Sequence, residues 1–179
     1  MVPLGMNGNL SRIPMTQDPF KQGLAAARRG DFATAARLWE AMAAQGDRRA
    51  QYNLGFLYAN GKGLPQDYAQ ALDWYRKAAD QGFTPAQFNL GVLLSGNDGI
   101  PPDYPTALEW YRKAAEQGDA DAQFNIGVAY ATGQGVATDY VQAFRWYSRA
   151  AAAGHAQAAK TRDGIAAEMT PEQLAEAQG

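Results

Sequence analysis

A hexapeptide that returns every 36 residues constrains this chain more than any other feature. Ala50, Gln51, Tyr52, Asn53, Leu54 and Gly55 reappear as Ala86, Gln87, Phe88, Asn89, Leu90 and Gly91, then as Ala122, Gln123, Phe124, Asn125, Ile126 and Gly127. A fixed period of this length marks stacked supersecondary units, each too small to bury its own apolar face and each covered by the next. The 179 residues are therefore read as one solenoid rather than as one or two compact domains.

Within each period the spacing predicts two helices. The first copy has an A helix over 48–60, a loop over 61–66, and a B helix over 68–81. Ala50, Leu54, Leu57 and Tyr58 share one face of the A helix, with Ala86, Leu90 and Leu93, then Ala122, Ile126 and Tyr130, as later equivalents. The B helix turns Tyr68, Ala71, Leu72, Tyr75, Ala78 and Ala79 inward, and Trp74, Trp110 and Trp146 widen that stripe where one repeat covers the next. Asp67, Asp103 and Asp139 stand where a side-chain acceptor caps a B helix, with Gln70 and Gln142 placed to complete a capping box. Gly82, Gly118 and Gly154 end those helices. Gly55, Gly91 and Gly127 recur inside A helices at a cost of about 1 kcal/mol each relative to alanine, which implies a close helix approach.

The flanks follow the same logic. Asp18 and Pro19 open a helix carrying Phe20, Leu24 and Ala27 inward, and Asp31 caps a second with Phe32, Ala35, Ala36, Leu38, Trp39, Met42 and Ala43 as its stripe. The domain reading is a disordered leader at 1–17, a degenerate repeat at 18–46, repeats at 47–82, 83–118 and 119–154, and capping helices at 155–179. In the last segment, 155–168 reads as one helix, and Thr170, Pro171 and Gln173 start a short final one carrying Leu174.

Composition narrows the function classes. An apolar share of 46% against 19% charged supports a packed core, and a net charge of −2 gathers no phosphates, so nucleic acid is not an expected partner. No stretch is long and apolar enough for a membrane span. With no cysteine and one histidine, His155, neither thiolate nor paired-imidazole metal sites are available, and no cofactor is expected. His155 has no nucleophile beside it by repeat equivalence, so it is read as a surface or capping group rather than a catalytic one. The loops at Gly61, Lys62, Gly63 and Gly133, Gln134, Gly135 follow helices and lack P-loop spacing, so they are read as flexible turns. Arg76, Lys77, Arg112 and Lys113 form a solvated outer face, with Asp73 and Glu109 placed four residues before the lysines to offset them.

These residues resemble the Sel1-like repeat family of tetratricopeptide-like helical hairpins. The resemblance is carried by Ala86, Leu90, Gly91 and Gly99 of the central copy, by Asp103, Tyr104, Ala107, Trp110 and Tyr111, and by Arg112, Lys113, Ala114, Ala115 and Gly118. It spans about residues 20–168, with Leu38 and Trp39 standing for the Trp-Tyr pair in the degenerate copy. Gly96, Asn97 and Asp98 reshuffle the loop glycines, and Ser148 replaces a basic residue. The resemblance implies an all-α, right-handed solenoid of about ten helices with A helices lining a concave face. It also implies an adaptor, scaffold or regulator that binds a protein or peptide rather than an enzyme.

The wheel face of each A helix turned away from its core stripe supplies the candidate partner-binding residues. They are Tyr52, Asn53, Phe56 and Asn60, then Phe88, Asn89 and Val92, then Phe124, Asn125 and Val128. The aromatics have a second reading as seals between repeats. The asparagines either join repeats or donate to and accept from an extended peptide backbone. Alternative functions are an inhibitor or immunity-type protein acting through a loop edge or terminal cap and, more weakly, a hydrolase. A monomer is expected, cytoplasmic as written, or periplasmic or secreted if an upstream signal has been removed.

Overall fold

The computed structural model describes residues 18–96 and 100–179; the expected leader and loop residues 97–99 lie outside them. The described residues form ten α-helices and no strand: α1 (Pro19–Arg28), α2 (Phe32–Ala43), α3 (Arg48–Asn60), α4 (Tyr68–Asp80), α5 (Thr84–Leu94), α6 (Tyr104–Glu116), α7 (Ala120–Thr132), α8 (Tyr140–Ala152), α9 (Ala158–Ala166) and α10 (Pro171–Gln178). From α1 to α9 each helix packs on its chain neighbours, as a solenoid of hairpins requires. The core follows the stack in two buried clusters, one around Ala26, Trp39 and Leu54 and one running from Ala71 to Ala129. Leu54, Leu90 and Ile126 are each fully buried, and each such burial contributes about 1.5–3 kcal/mol.

The helix starts follow local chemistry. Asp67, Asp103 and Asp139 accept from the amides of Gln70, Thr106 and Gln142 at 3.0, 3.2 and 3.0 Å. The reciprocal capping boxes expected from Gln70 and Gln142 do not form, because the Asp67 and Asp139 amides already donate to the carbonyls of Tyr58 and Tyr130. Those bonds tie each B-helix start to the A helix before it. A full box does form where it was expected, between Thr170 and Gln173. The A helices begin at Asp47 and Asp119, whereas Phe83 holds that position in the second copy with no side-chain cap.

Close approach explains the A-helix glycines, and its partner is a ring rather than a backbone. A Cβ added at Gly55, Gly91 or Gly127 would lie 2.6–2.7 Å from Tyr75, Tyr111 or Tyr147, the tyrosine of the same hairpin's B helix. The degenerate hairpin obeys the same rule with different spacing. Trp39 stands 36 residues before Tyr75, and a Cβ at Gly23 would collide with its indole nitrogen. Gly23 precedes Trp39 by 16 residues where Gly55 precedes Tyr75 by 20, and the short α1–α2 connection absorbs the difference. Gly23 and Ala26 are thus the fully buried positions of α1, while Phe20, Leu24 and Ala27 pack around them half-exposed.

The loops are struts rather than flexible turns. Gly63 (φ 72°) and Gly135 (φ 76°) press on the backbone of Phe32 and Tyr104, at the start of the preceding B helix, where a Cβ would approach within 2.5 and 2.7 Å. The positive φ and the lack of space independently require glycine.

A second polar series escaped the sequence reading. Gln51, Gln87 and Gln123 donate to the carbonyls of Ala43, Ala79 and Ala115 at 3.2, 3.2 and 3.3 Å, each bonding the end of the preceding B helix. Gln81 and Gln117 then donate to the side-chain oxygens of Gln51 and Gln87 at 2.7 and 2.6 Å. The corresponding residue of the third repeat is Ala153, and the Gln123 side-chain oxygen is buried without a partner.

On the outer face the cations pair with tryptophan rather than with the carboxylates expected four residues upstream. Lys77 sits 4.0 Å over Trp74, Lys113 3.7 Å over Trp110, and Arg149 4.7 Å over Trp146. Among the described residues, neither Asp73 nor Glu109 forms an ion pair with these lysines; their ammonium groups lie over the rings instead. At the C-terminal end the expected helix over 155–168 shortens to α9, and α10 folds back onto α8 rather than closing a hairpin with α9. Ala177, not Leu174, is its buried contact, and the Arg145 guanidinium donates to the Glu176 carbonyl.

Candidate functional site

Two open cavities lie between successive A helices, and they are translations of one another. The first, about 250 Å³, lies between α3 and α5 above α4; the second, about 200 Å³, lies between α5 and α7 above α6. Adding 36 to the residues lining the first gives seven of the ten residues lining the second: Phe56 becomes Val92, Tyr68 becomes Tyr104, Tyr75 becomes Tyr111, and Asn89 becomes Asn125. Val92, Leu93 and Ala59 likewise become Val128, Ala129 and Ser95; Asn60 has no counterpart in the second lining, and Ala107, Leu108 and Gln134 of the second do not come from the first. Val92 lines both cavities. No charged residue lines either one.

The polar floor is built from the asparagine of one A helix and the tyrosine of the preceding B helix. The Asn89 amide donates to the hydroxyls of Tyr52 and Tyr75 at 3.3 and 3.5 Å. Asn125 holds the equivalent place beside the Tyr111 hydroxyl in the second cavity. Ser95 also meets that hydroxyl, at 3.1 Å, where either oxygen can be the donor, and its own hydroxyl lies 2.8 Å from the Gly91 carbonyl. Burial raises the Tyr75 hydroxyl well above the ordinary tyrosine range, the neighbouring Tyr52 adds to the shift, and the Asn89 bond opposes it. Burial raises Tyr52 and Tyr111 too, against the bonds from Asn89 to Tyr52 and from Ser95 and Asn125 to Tyr111. Burial alone raises Tyr147. These tyrosines are neutral donors at neutral pH.

Of the ten candidate residues, Phe56, Asn60, Asn89, Val92, Asn125 and Val128 line the cavities. The other four stand in the joints between them. Tyr52 packs between Tyr75 and Phe83, with ring centres 5.7 and 5.4 Å away, and Phe88 packs on Tyr111 at 6.0 Å. Phe124 lies between Tyr147 at 5.2 Å and the stacked His155 at 4.1 Å. Asn53 is half-buried beside the first hairpin, where Trp39 replaces the tyrosine its equivalents bond. Asn89 therefore joins repeats while lining a cavity, and Asn125 lines the next one at the equivalent place. Phe56 is the exposed large apolar side chain of the described residues, at 37%, with Lys62 5.2 Å over its ring.

The sequence reading missed the B-helix share of the site. Tyr75 appeared there only as core and Tyr111 only within the family pattern, yet each is a phenol recurring at the repeat period, and a buried hydroxyl needs a polar partner. It also missed Asp121, whose carboxylate lies 3.6 Å from His155 Nε2. That pair does not make a base: the other ring nitrogen, Nδ1, accepts from the Gln157 amide at 3.3 Å, leaving no position for a nucleophile's proton. Among the described residues, no group of three or more His, Asp or Glu side chains is placed to hold a metal. No helix there is long and apolar enough to cross a membrane.

Comparison with known proteins agrees with the geometry. A Sel1 repeat protein from Oxalobacter formigenes is similar at 37% identity and a TM-score of 0.71, over 78% of this chain and 57% of that one. The protein c5321, described as a protective antigen of uropathogenic Escherichia coli strains with an SLR fold, is 41% identical at a TM-score of 0.73, over 78% of this chain and 31% of that one. The chain thus spans about half or less of the length of these proteins. An immunity protein from Pseudomonas aeruginosa, Pa5087, shares 21% identity at a TM-score of 0.39, too distant to carry an argument. No curated protein matches. The family model described as Sel1 repeat matches residues 48–83, 84–119 and 120–155, each beginning one residue later than the boundaries read from the sequence. With well over half of its residues inside three consecutive matches, this chain belongs to the Sel1 repeat family.

Proposed function

We propose that this protein is a non-catalytic adaptor that binds a segment of a partner protein along its A-helix face. One observation carries the reading: the same cavity recurs after one repeat, with the same tyrosine, asparagine and valine positions. A packing defect would not be expected to copy its polar floor, whereas a face that grips a continuous ligand has reason to. Sel1 repeats generally serve as protein interaction modules, which agrees with this use. The occupied ring nitrogens of His155 argue against hydrolysis, and no feature of the loop edges separately favours an inhibitor.

The test places a photo-crosslinking residue at Val128 and, as a control, at Arg76 on the outer face, in cells of the source organism. A defined partner captured from position 128 and not from 76 is expected. Its purified form should lose at least tenfold in affinity for Phe56→Ala combined with Val128→Asp, with unfolding temperature held within about 2 °C. Capture only from position 76, or full affinity for the folded double variant, would refute the proposal.

A further inference from the structure

The rim of the first cavity carries a charge that its lining lacks, and the inference drawn from it rests on the adaptor reading. We propose that the partner segment bears an acidic side chain, aspartate or glutamate, that docks on Lys62 while its apolar neighbour covers Phe56.

Lys62 is held in place by its surroundings. It stands in the loop between α3 and α4, flanked by Gly61 (φ 61°) and Gly63 (φ 72°), and its amide donates to the Leu57 carbonyl at 3.0 Å. Gly63 is seated against the backbone of Phe32, which fixes the loop on α2. The ammonium lies 5.5 Å from the centre of the Phe32 ring and 5.2 Å from that of Phe56. Each such cation–π contact at an exposed site is worth about 0.5–1 kcal/mol, enough to favour one placement of a long side chain. An ammonium has three N–H donors, and among the described residues no carboxylate lies within ion-pair distance of this one. The cation is therefore positioned but not neutralised.

Charge complementarity selects what docks there. Phe56 both lines the first cavity and is exposed, so apolar and positive surface meet at one point. A carboxylate arriving beside an apolar side chain gains a charge-assisted hydrogen bond from Lys62, whereas a basic side chain is repelled. Farther along the face neither lining holds a charged residue, so a second charge would lose its water without gaining a partner. Two repeats on, Gln134 stands at the Lys62 position and Val128 at the Phe56 position, both in the second lining and both neutral. The acidic residue thus belongs to the end of the segment that lies over α3, not to the end over α7.

The experiment pans a phage-displayed library of random dodecapeptides against the full wild-type chain and, in parallel, against Lys62→Glu and Lys62→Met, each first checked for an unchanged unfolding temperature. The wild-type chain should enrich peptides that pair aspartate or glutamate with an adjacent apolar residue, and Lys62→Glu should enrich lysine or arginine in that place. In fluorescence anisotropy a labelled peptide from the wild-type selection should bind Lys62→Met roughly threefold or more weakly. Raising salt from about 50 to about 300 mM should weaken its binding to the wild-type chain more than to Lys62→Met. Enrichment without acidic residues, acidic enrichment that survives Lys62→Glu, or no enriched peptide overturns the inference. If crosslinking from position 128 still captures a partner, the acidic anchor alone has failed; if it captures none, the adaptor reading has failed with it.

Discussion

Ala153→Gln should stabilise this protein. Gln81 and Gln117 end their B helices with φ, ψ of −87°, 11° and −90°, 5°, and Ala153 holds nearly the same backbone at −80°, 0°. A glutamine there needs no change of main chain to reach Gln123, whose side-chain oxygen is buried and unpaired. Satisfying a buried acceptor is worth about 1–3 kcal/mol. Ordering an exposed glutamine costs up to about 1.5 kcal/mol, leaving a net gain of about 1 kcal/mol. For a chain of this size that is an increase of roughly 2–4 °C in unfolding temperature. Urea unfolding followed by circular dichroism at constant m-value measures the gain, and a double-mutant cycle with Gln123→Ala isolates its source. A neutral Ala153→Gln, or an equal gain when Gln123 is absent, would refute the clamp. Gln117→Ala should act oppositely, stranding the Gln87 oxygen that now accepts at 2.6 Å.

Further outcomes test the core and the tyrosines. Leu90→Ala, at a fully buried site, should cost about 2–5 kcal/mol in the same unfolding assay. For Gly91→Ala, helix propensity alone predicts a gain of about 1 kcal/mol, whereas the 2.7 Å approach to Tyr111 predicts a loss of about 1–3 kcal/mol, so the sign of the change decides between them. Because burial raises Tyr52, Tyr75, Tyr111 and Tyr147, the unfolded chain loses phenolic protons first as pH passes about 10. The contribution of these tyrosines should therefore be level below that pH and fall above it; a urea midpoint that held or rose between pH 9 and 11 would contradict the burial of these hydroxyls.

The A and B helices, their aspartate caps and the Leu54, Leu90 and Ile126 stripe were legible because each depends on residues within one or two turns of the same helix. The candidate face was half legible. The helical wheel placed Phe56, Asn60, Asn89, Val92, Asn125 and Val128 on the cavity side, but it treats a helix as alone and so did not show Tyr75 and Tyr111 rising from a second helix. Nor could it separate Phe88 and Phe124, which lie on the same wheel face yet spend their rings on Tyr111, Tyr147 and His155.

By itself, the sequence determined the unit and its copy number, since a 36-residue period with apolar faces on both helices has no stable form except the stack. Tertiary structure alone decided what crosses between units. The glutamine clamp, the loop glycines seated on the preceding B helix, the cations laid on tryptophan and the shared asparagine–tyrosine floor each join residues 14 to 37 positions apart or three-dimensional neighbours with competing partners. Their choice depends on distances of a few tenths of an ångström, which periodicity does not encode.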